Sequence, residues 1–127
     1  EHGGLGDPDF VLLVPPGQWL TRHLFFTDPT YATTHAVFVR RAVGTRFAEV
    51  KLDCGPALSW RPITVDTQYA VRSWSLDGTD GCENGVHTAT STQPFTITVW
   101  GVDQYASYAW PSGMGVRQLN TVDAGFD

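Results

Sequence analysis

Three stretches of this 127-residue chain concentrate side chains able to do chemistry. The segment Asp77-Gly78-Thr79-Asp80-Gly81-Cys82-Glu83-Asn84-Gly85 offers oxygen donors of the kind that hard cations draw from flexible loops, with Asp77, Asp80, Glu83 and Asn84 as candidate calcium ligands. Their spacing is not that of an EF-hand, and the competing reading is a solvated acidic turn with Asn84-Gly85 as a hairpin corner. The segment from Asp103 to Gly113 reads as a loop and carries Tyr105, Tyr108 and Trp110. Exposed Tyr and Trp rings stack on sugar faces or anchor a protein partner, because they give large contact area at low entropy cost. The alternative is that Tyr108 and Trp110 plug one end of the fold. Arg40, Arg41 and Arg46 flank the Val43-Gly44 turn as the positive cluster. Such a cluster receives an acidic glycan or a carboxylate, or else pairs with Asp and Glu of its own chain.

Other chemistries fall away on spacing. The four histidines (His2, His23, His35, His87) and the two cysteines (Cys54, Cys82) show no zinc-ligand pattern. His87, within the polar run His87–Thr92, has no local partner for catalysis and reads as a structural hydrogen-bonding residue. No Gly-x-Ser-x-Gly elbow is present, and Gly3-Gly4-Leu5-Gly6 lacks the strand and helix of a dinucleotide fingerprint. His2 follows Glu1, so it reads as an amino-terminal copper-binding histidine only if processing removes Glu1. The chain therefore reads as no enzyme. Cys54 and Cys82 suit one disulfide, with two buried thiols as the alternative, and a disulfide would imply an oxidising compartment.

The elements that must position these residues are strands. One lysine and three glutamates against sixteen aromatics, thirteen glycines and eight prolines leave few charged helix formers. A net charge of −5 and a pI near 5.1 exclude a nucleic-acid footprint. No apolar run approaches the ~18 residues of a membrane span. Candidate strands cover Phe10–Val14, Trp19–Thr27, Thr33–Arg41, Thr45–Asp53, Gln68–Leu76 and Phe95–Asp103. Ala48, Val50 and Leu52 alternate with Glu49, Lys51 and Asp53; Phe95, Ile97 and Val99 alternate with Thr96, Thr98 and Trp100. That period of two marks half-buried strands. The reading is an all-β, antiparallel β-sandwich or jelly roll with one disulfide: a loose Gly- and Asp-rich segment over 1–9, then a single domain over 10–127. A start at Glu1, with neither an initiator methionine nor an apolar leader, reads as a mature product or a piece of a longer polypeptide.

Four blocks carry a family resemblance. They are Phe25-Phe26-Thr27-Asp28-Pro29-Thr30-Tyr31-Ala32-Thr33-Thr34; Leu52-Asp53-Cys54 with Trp60; Gly81-Cys82-Glu83-Asn84-Gly85-Val86-His87; and Pro94–Asp103, leading to Ser107-Tyr108-Ala109-Trp110-Pro111-Ser112-Gly113-Met114 and Asn120. In order and spacing they resemble the N-terminal domain family of IgGFc-binding protein, as found in secreted bacterial proteins, over about Phe25 to Asn120. The resemblance implies a module of a large secreted or cell-surface protein with a binding or adhesive role and no established catalytic residue. It also implies that Cys54 and Cys82 pair. Where the family motif has a second tyrosine after Tyr108, this chain has Trp110, which keeps the aromatic ring and changes its polar tip.

The expected function is a non-catalytic extracellular binding or adhesion module, needing no cofactor. It would recognise a glycan or a surface protein through Tyr105, Tyr108 and Trp110, with Arg40 and Arg41 as polar contributors. Two alternatives come from other classes: a structural spacer in a large surface protein, and a calcium-dependent carbohydrate binder using the Asp77–Asn84 loop.

Overall fold

A computed structural model describes residues 4–55 and 58–115. Seven strands form: β1 (Leu20–Phe26), β2 (Thr33–Arg41), β3 (Val50–Leu52), β4 (Arg61–Ile63), β5 (Asp66–Ser75), β6 (Val86–Asp103) and β7 (Ala106–Pro111). A single 3-10 turn, Pro16–Gln18, precedes β1. All pairings are antiparallel and belong to one hydrogen-bonded sheet, ordered β1-β6-β2-β5-β4, with β3 and β7 also on β6.

The eighteen-residue β6 is the spine. Its first half pairs with β1 and β3, and its second half pairs with β2 and β7. The change of partners falls at Pro94, which has no N–H to give to a ladder and so suits a break in pairing. Opposite it the β1 register slips between Leu20 and Arg22. The sheet curls there, and the inward side chains of both halves meet in one core. His87, Ala89, Phe95, Ile97 and Val99 of β6 are buried together with Phe25 of β1, Ala36 and Phe38 of β2, Val50 and Leu52 of β3, and Trp74 and Leu76 near the end of β5. Phe25 and Phe38 meet edge to face at 6.5 Å across that core. The layers expected of a sandwich are thus two halves of one continuous sheet.

The disulfide forms between Cys54, just after β3, and Cys82, in the loop before β6, with Cα atoms 5.4 Å apart. Trp74 Nε1 donates to Cys82 Sγ at 3.3 Å. A second buried tie joins three strands. His23 of β1 places Nε2 2.9 Å from the Phe95 carbonyl of β6, and Ser112, just past β7, bonds its Nδ1. A carbonyl only accepts, so Nε2 carries the proton and Nδ1 accepts from the serine hydroxyl. Burial holds the His23 pKa below its ordinary value, in keeping with that neutral ring.

Several expected elements differ. Phe10–Val14 forms no strand; Phe10 and Leu13 stand more than 80% exposed, because Pro15-Pro16 ends the segment before it reaches a partner. Within Thr45–Asp53 only Val50–Leu52 pairs, while Val43 and Arg46 close a turn on Gly44 at φ +63°. The short edge strand β4 was hidden by Pro62. In the segment read as loose, Gly6 N–H donates to Asp103 O, and Ser107 Oγ donates to Asp7 O, holding residues 4–7 on the β6–β7 hairpin.

Candidate functional site

The aromatic segment expected as a loop is mostly strand β7. A two-residue turn, Gln104-Tyr105, reverses the chain so that Gly101 faces Tyr108 and Val99 faces Trp110 across the hairpin. Tyr105 takes the left-handed conformation, φ +53°, that this turn requires. Tyr108 and Trp110 therefore share the inward face of the sheet and lean on the edge of the core, half-buried. The Tyr108 ring lies over Gly101, where a Cβ would sit 2.1 Å from Cε1. Glycine inside a strand is the sequence signal of such an approach.

From this pair a row of rings runs outward. Tyr108 and Trp110 stack at 4.3 Å and 12°. Phe26 of β1 tilts against Trp110 at 5.2 Å, and Tyr31 meets Tyr108 edge-on at 4.6 Å. The Tyr108 hydroxyl accepts the Asp28 N–H at 3.1 Å, fixing the ring to the β1–β2 turn. Burial raises the Tyr108 pKa, so the phenol stays protonated at neutral pH. Phe26 is 57% exposed and lies beside Leu24 and Val86, which are 65% and 69% exposed. The result is an aromatic ridge with an aliphatic shoulder. Sequence reading missed Tyr31 and Phe26; the outward parity of Phe26 in β1, next to inward Phe25, was the available signal.

The other candidate residues go elsewhere. Tyr105 is 66% exposed and packs beside Gly4 rather than in the row. Arg40 and Arg41 lie opposite Phe95 and Tyr69, respectively, six β6 positions from the residue facing Tyr108, or roughly 20 Å along the strand. Arg40 sits between the Phe47 and Trp60 rings at 4.7 and 4.2 Å, and Arg41 over Tyr69 at 5.7 Å. Arg40 burial lowers its pKa, although a guanidinium keeps its charge at any physiological pH. The arginines and the aromatic segment do not form one site.

Asp77, Asp80 and Asn84 of the acidic loop accept hydrogen bonds from the loop and from the strands beside it. Asp77 Oδ1 accepts from Ser75 Oγ at 2.7 Å and from Thr79 N and Oγ1, and Asp80 Oδ2 accepts from Ser75 N at 3.1 Å. Asn84 Oδ1 accepts from Thr34 Oγ1 at 2.7 Å. Among the described residues, the group of His, Cys, Asp and Glu side chains that converges within 4.8 Å is Asp53, Cys54 and His87, not Asp77, Asp80 and Glu83. The Cys54 sulfur is bonded to Cys82 and offers no thiolate, and both His87 ring nitrogens have partners, Asp53 Oδ1 at 2.9 Å and Glu83 O at 2.7 Å. His87 is the structural histidine that its context suggested.

These bonds make a test of the Asp77 turn. The Ser75 and Thr79 hydroxyls hold the Asp77 pKa down to about 2. A depressed carboxylate stabilises the fold above its ordinary pKa, and that contribution is lost as pH falls through the folded value. Asp77→Ala is expected to lose about 1 kcal/mol at neutral pH. In urea titrations the gap to the parent should narrow between about pH 4 and pH 2. A gap that stays constant over that range would refute this account of the turn.

The family model described as IgGFc binding protein matches residues 1–101. The chain belongs to the IgGFc-binding protein family. Membership makes it one of a family of binding domains, typically extracellular. The family match starts earlier than the resembling blocks and ends at Gly101, so Ser107–Met114 and Asn120 lie outside it. No curated protein and no solved structure matches the chain. No helix among the described residues is long and apolar enough to cross a membrane.

Proposed function

We propose that this family member is a non-catalytic binding module that docks an extracellular protein through the ridge Tyr31–Tyr108–Trp110–Phe26 and its shoulder, Leu24 and Val86. The resembling blocks point to a secreted or cell-surface protein of a bacterium as its setting. The observation carrying the proposal is that the rings use their faces on one another. Trp110 stacks on Tyr108 and meets Phe26 at a tilt, and Tyr108 also meets Tyr31. A sugar needs a free ring face, whereas a protein partner uses ring edges and flanking aliphatic surface, here Phe26, Leu24 and Val86. Exposed aromatic anchors beside apolar surface are what carries energy at protein interfaces.

Phe26→Asp tests this cleanly, because the side chain is mostly exposed and its loss leaves the core intact. The parent and the variant would be screened on arrays of extracellular protein domains and of glycans, with the IgG Fc fragment among the proteins because of the family's name. Protein binding that Phe26→Asp abolishes, at unchanged melting temperature, is the expected result. Protein binding indifferent to Phe26→Asp would overturn the proposal, as would a saccharide lost on the same substitution.

A further inference from the structure

Thirteen Asp and Glu residues outnumber eight Lys and Arg, yet among the described residues the one ion pair within 4.0 Å is His87–Asp53. Arg41 is an exposed arginine that this arrangement leaves without a carboxylate. In β2 the even-numbered Thr34, Ala36 and Phe38 are buried, so by strand alternation Arg41 projects from the opposite, outward face. Tyr69 of β5 stands directly across from it and, next to buried Ala70, shares that face. Pro94 of β6, next to buried Phe95, shares it too, one step past the Arg40–Phe95 pair. The Trp19 ring reaches the same place. It meets Tyr69 edge to face at 6.1 Å and 80°, while the Arg41 guanidinium lies over Tyr69 at 5.7 Å.

Trp19, Arg41 and Pro94 border a cleft of about 400 Å³ at this end of the sheet, together with Gln68, Gln93 and the 42–44 stretch. No acidic side chain lines it. Its two main groups are fixed in advance. Trp19 Nε1 donates to the Val14 carbonyl at 2.8 Å, which sets the indole plane, and Tyr69 supports both the indole and the guanidinium. Among the described residues no ring stacks on Trp19, in contrast to Tyr108 and Trp110, which cover each other. An indole face beside a guanidinium suits a sugar that carries a carboxylate: its C–H groups lie on the ring, and its two oxygens accept parallel N–H bonds. Gln68 and Gln93 add carboxamides, which both donate and accept as sugar hydroxyls do. Groups already held in place lose less freedom on binding than groups that must first be ordered.

We infer that this cleft is a binding site for a carboxylate-bearing sugar unit, its carboxylate on Arg41 and its ring against Trp19. The site lies on the outward face, away from the inward-facing Tyr108 and Trp110, and stands or falls independently of the protein-docking proposal. Isothermal titration of the intact protein would use digalacturonate and its methyl ester, sialyllactose and lactose, and a tetraglutamate peptide. Binding of at least one acidic sugar, with no binding of the methyl ester or lactose, is the expected result. Arg41→Gln should weaken that binding about tenfold or more without changing the melting temperature, because the side chain is exposed. Arg41→Lys, which keeps the charge and removes the fork, should weaken it as well. The indole N–H resonance of Trp19 should move during the titration, and Phe26→Asp should leave the affinity unchanged. Neutral sugars bound as tightly as the acidic ones would overturn the inference. So would acidic-sugar binding unaffected by Arg41→Gln, a Trp19 resonance that stays in place, tighter binding of the peptide, or no binding of either acidic sugar.

Discussion

Reducing the Cys54–Cys82 bond is expected to lower the unfolding free energy by roughly 3.5 kcal/mol, the loop-closure value for a separation of 28 residues. At this chain length that loss corresponds to a fall in melting temperature on the order of 10 °C. The bridge ties the end of β3 to the loop that leads from β5 into β6, so it closes a circuit containing β4 and β5. Those two strands reach β6 only through β2, and without the bridge the 55–81 stretch gains its full freedom in the unfolded chain. The local setting adds to the effect. Cys82 is fully buried, and the Trp74 indole N–H donates to its sulfur. Urea titrations with and without a phosphine reductant, and on Cys54→Ala/Cys82→Ala, provide the measurement. A loss below about 1 kcal/mol would mean that the reduced chain keeps this circuit closed by non-covalent contacts.

Gly101→Ala is expected to destabilise the fold by about 2–3 kcal/mol, although it adds a single methyl group. The new Cβ would fall 2.1 Å from Cε1, 2.4 Å from Cζ and 2.8 Å from Cδ1 of Tyr108. A ring on a free surface would swing aside at little cost. This one is stacked on Trp110, met edge-on by Tyr31 and anchored by the Asp28 N–H. Moving it breaks all three contacts. The explanation is tested by coupling: in Gly101→Ala/Tyr108→Ala the clash is gone, so the double variant should be far less destabilised than the two single losses added together. Additive losses would place the cost of Gly101→Ala in the backbone instead. The same pair bears on binding, because displacing Tyr108 removes the support of Trp110 and leaves Phe26 without its neighbour.

The sequence was most legible where side-chain period and backbone demand agreed. Thr33–Arg41 is a strand with the bounds expected of it, and the alternating set Phe95, Ile97 and Val99 is fully buried. The merging of His87–Thr92 with Phe95–Asp103 was not legible, since Pro94 reads locally as a stop. Only the curled sheet, which needs no ladder bond at that point, lets the strand pass through. At the candidate site the right residues stood out for a reason that proved incomplete. Tyr108 and Trp110 are two apart, so in a strand they share a face, while a loop reading carries no such rule. Their partners Tyr31 and Phe26 lie some eighty residues away in sequence and were beyond any local pattern. The acidic loop misdirected in the opposite way, because donors suited to a cation are equally suited to Ser and Thr hydroxyls two residues off.

The shared spine has a consequence for how this module comes apart. β6 contacts four other strands, and β5 with β4 is held to it through β2. The β4–β5 hairpin is the one part of the sheet that can open without stripping a partner from β6, so local opening is expected at that edge and loss of order in the strands around β6 is all-or-none. Its ladders also join residues far apart in the chain, β1 with β6 and β3 with β6, which must find one another before any of them is rewarded. Such a topology folds slowly, in milliseconds to seconds, and is best served by a cross-link that shortens the search. In an extracellular setting, where tension and proteases act on whatever frays, a sheet built on one shared strand exposes little beyond its β4–β5 edge until it comes apart as a whole.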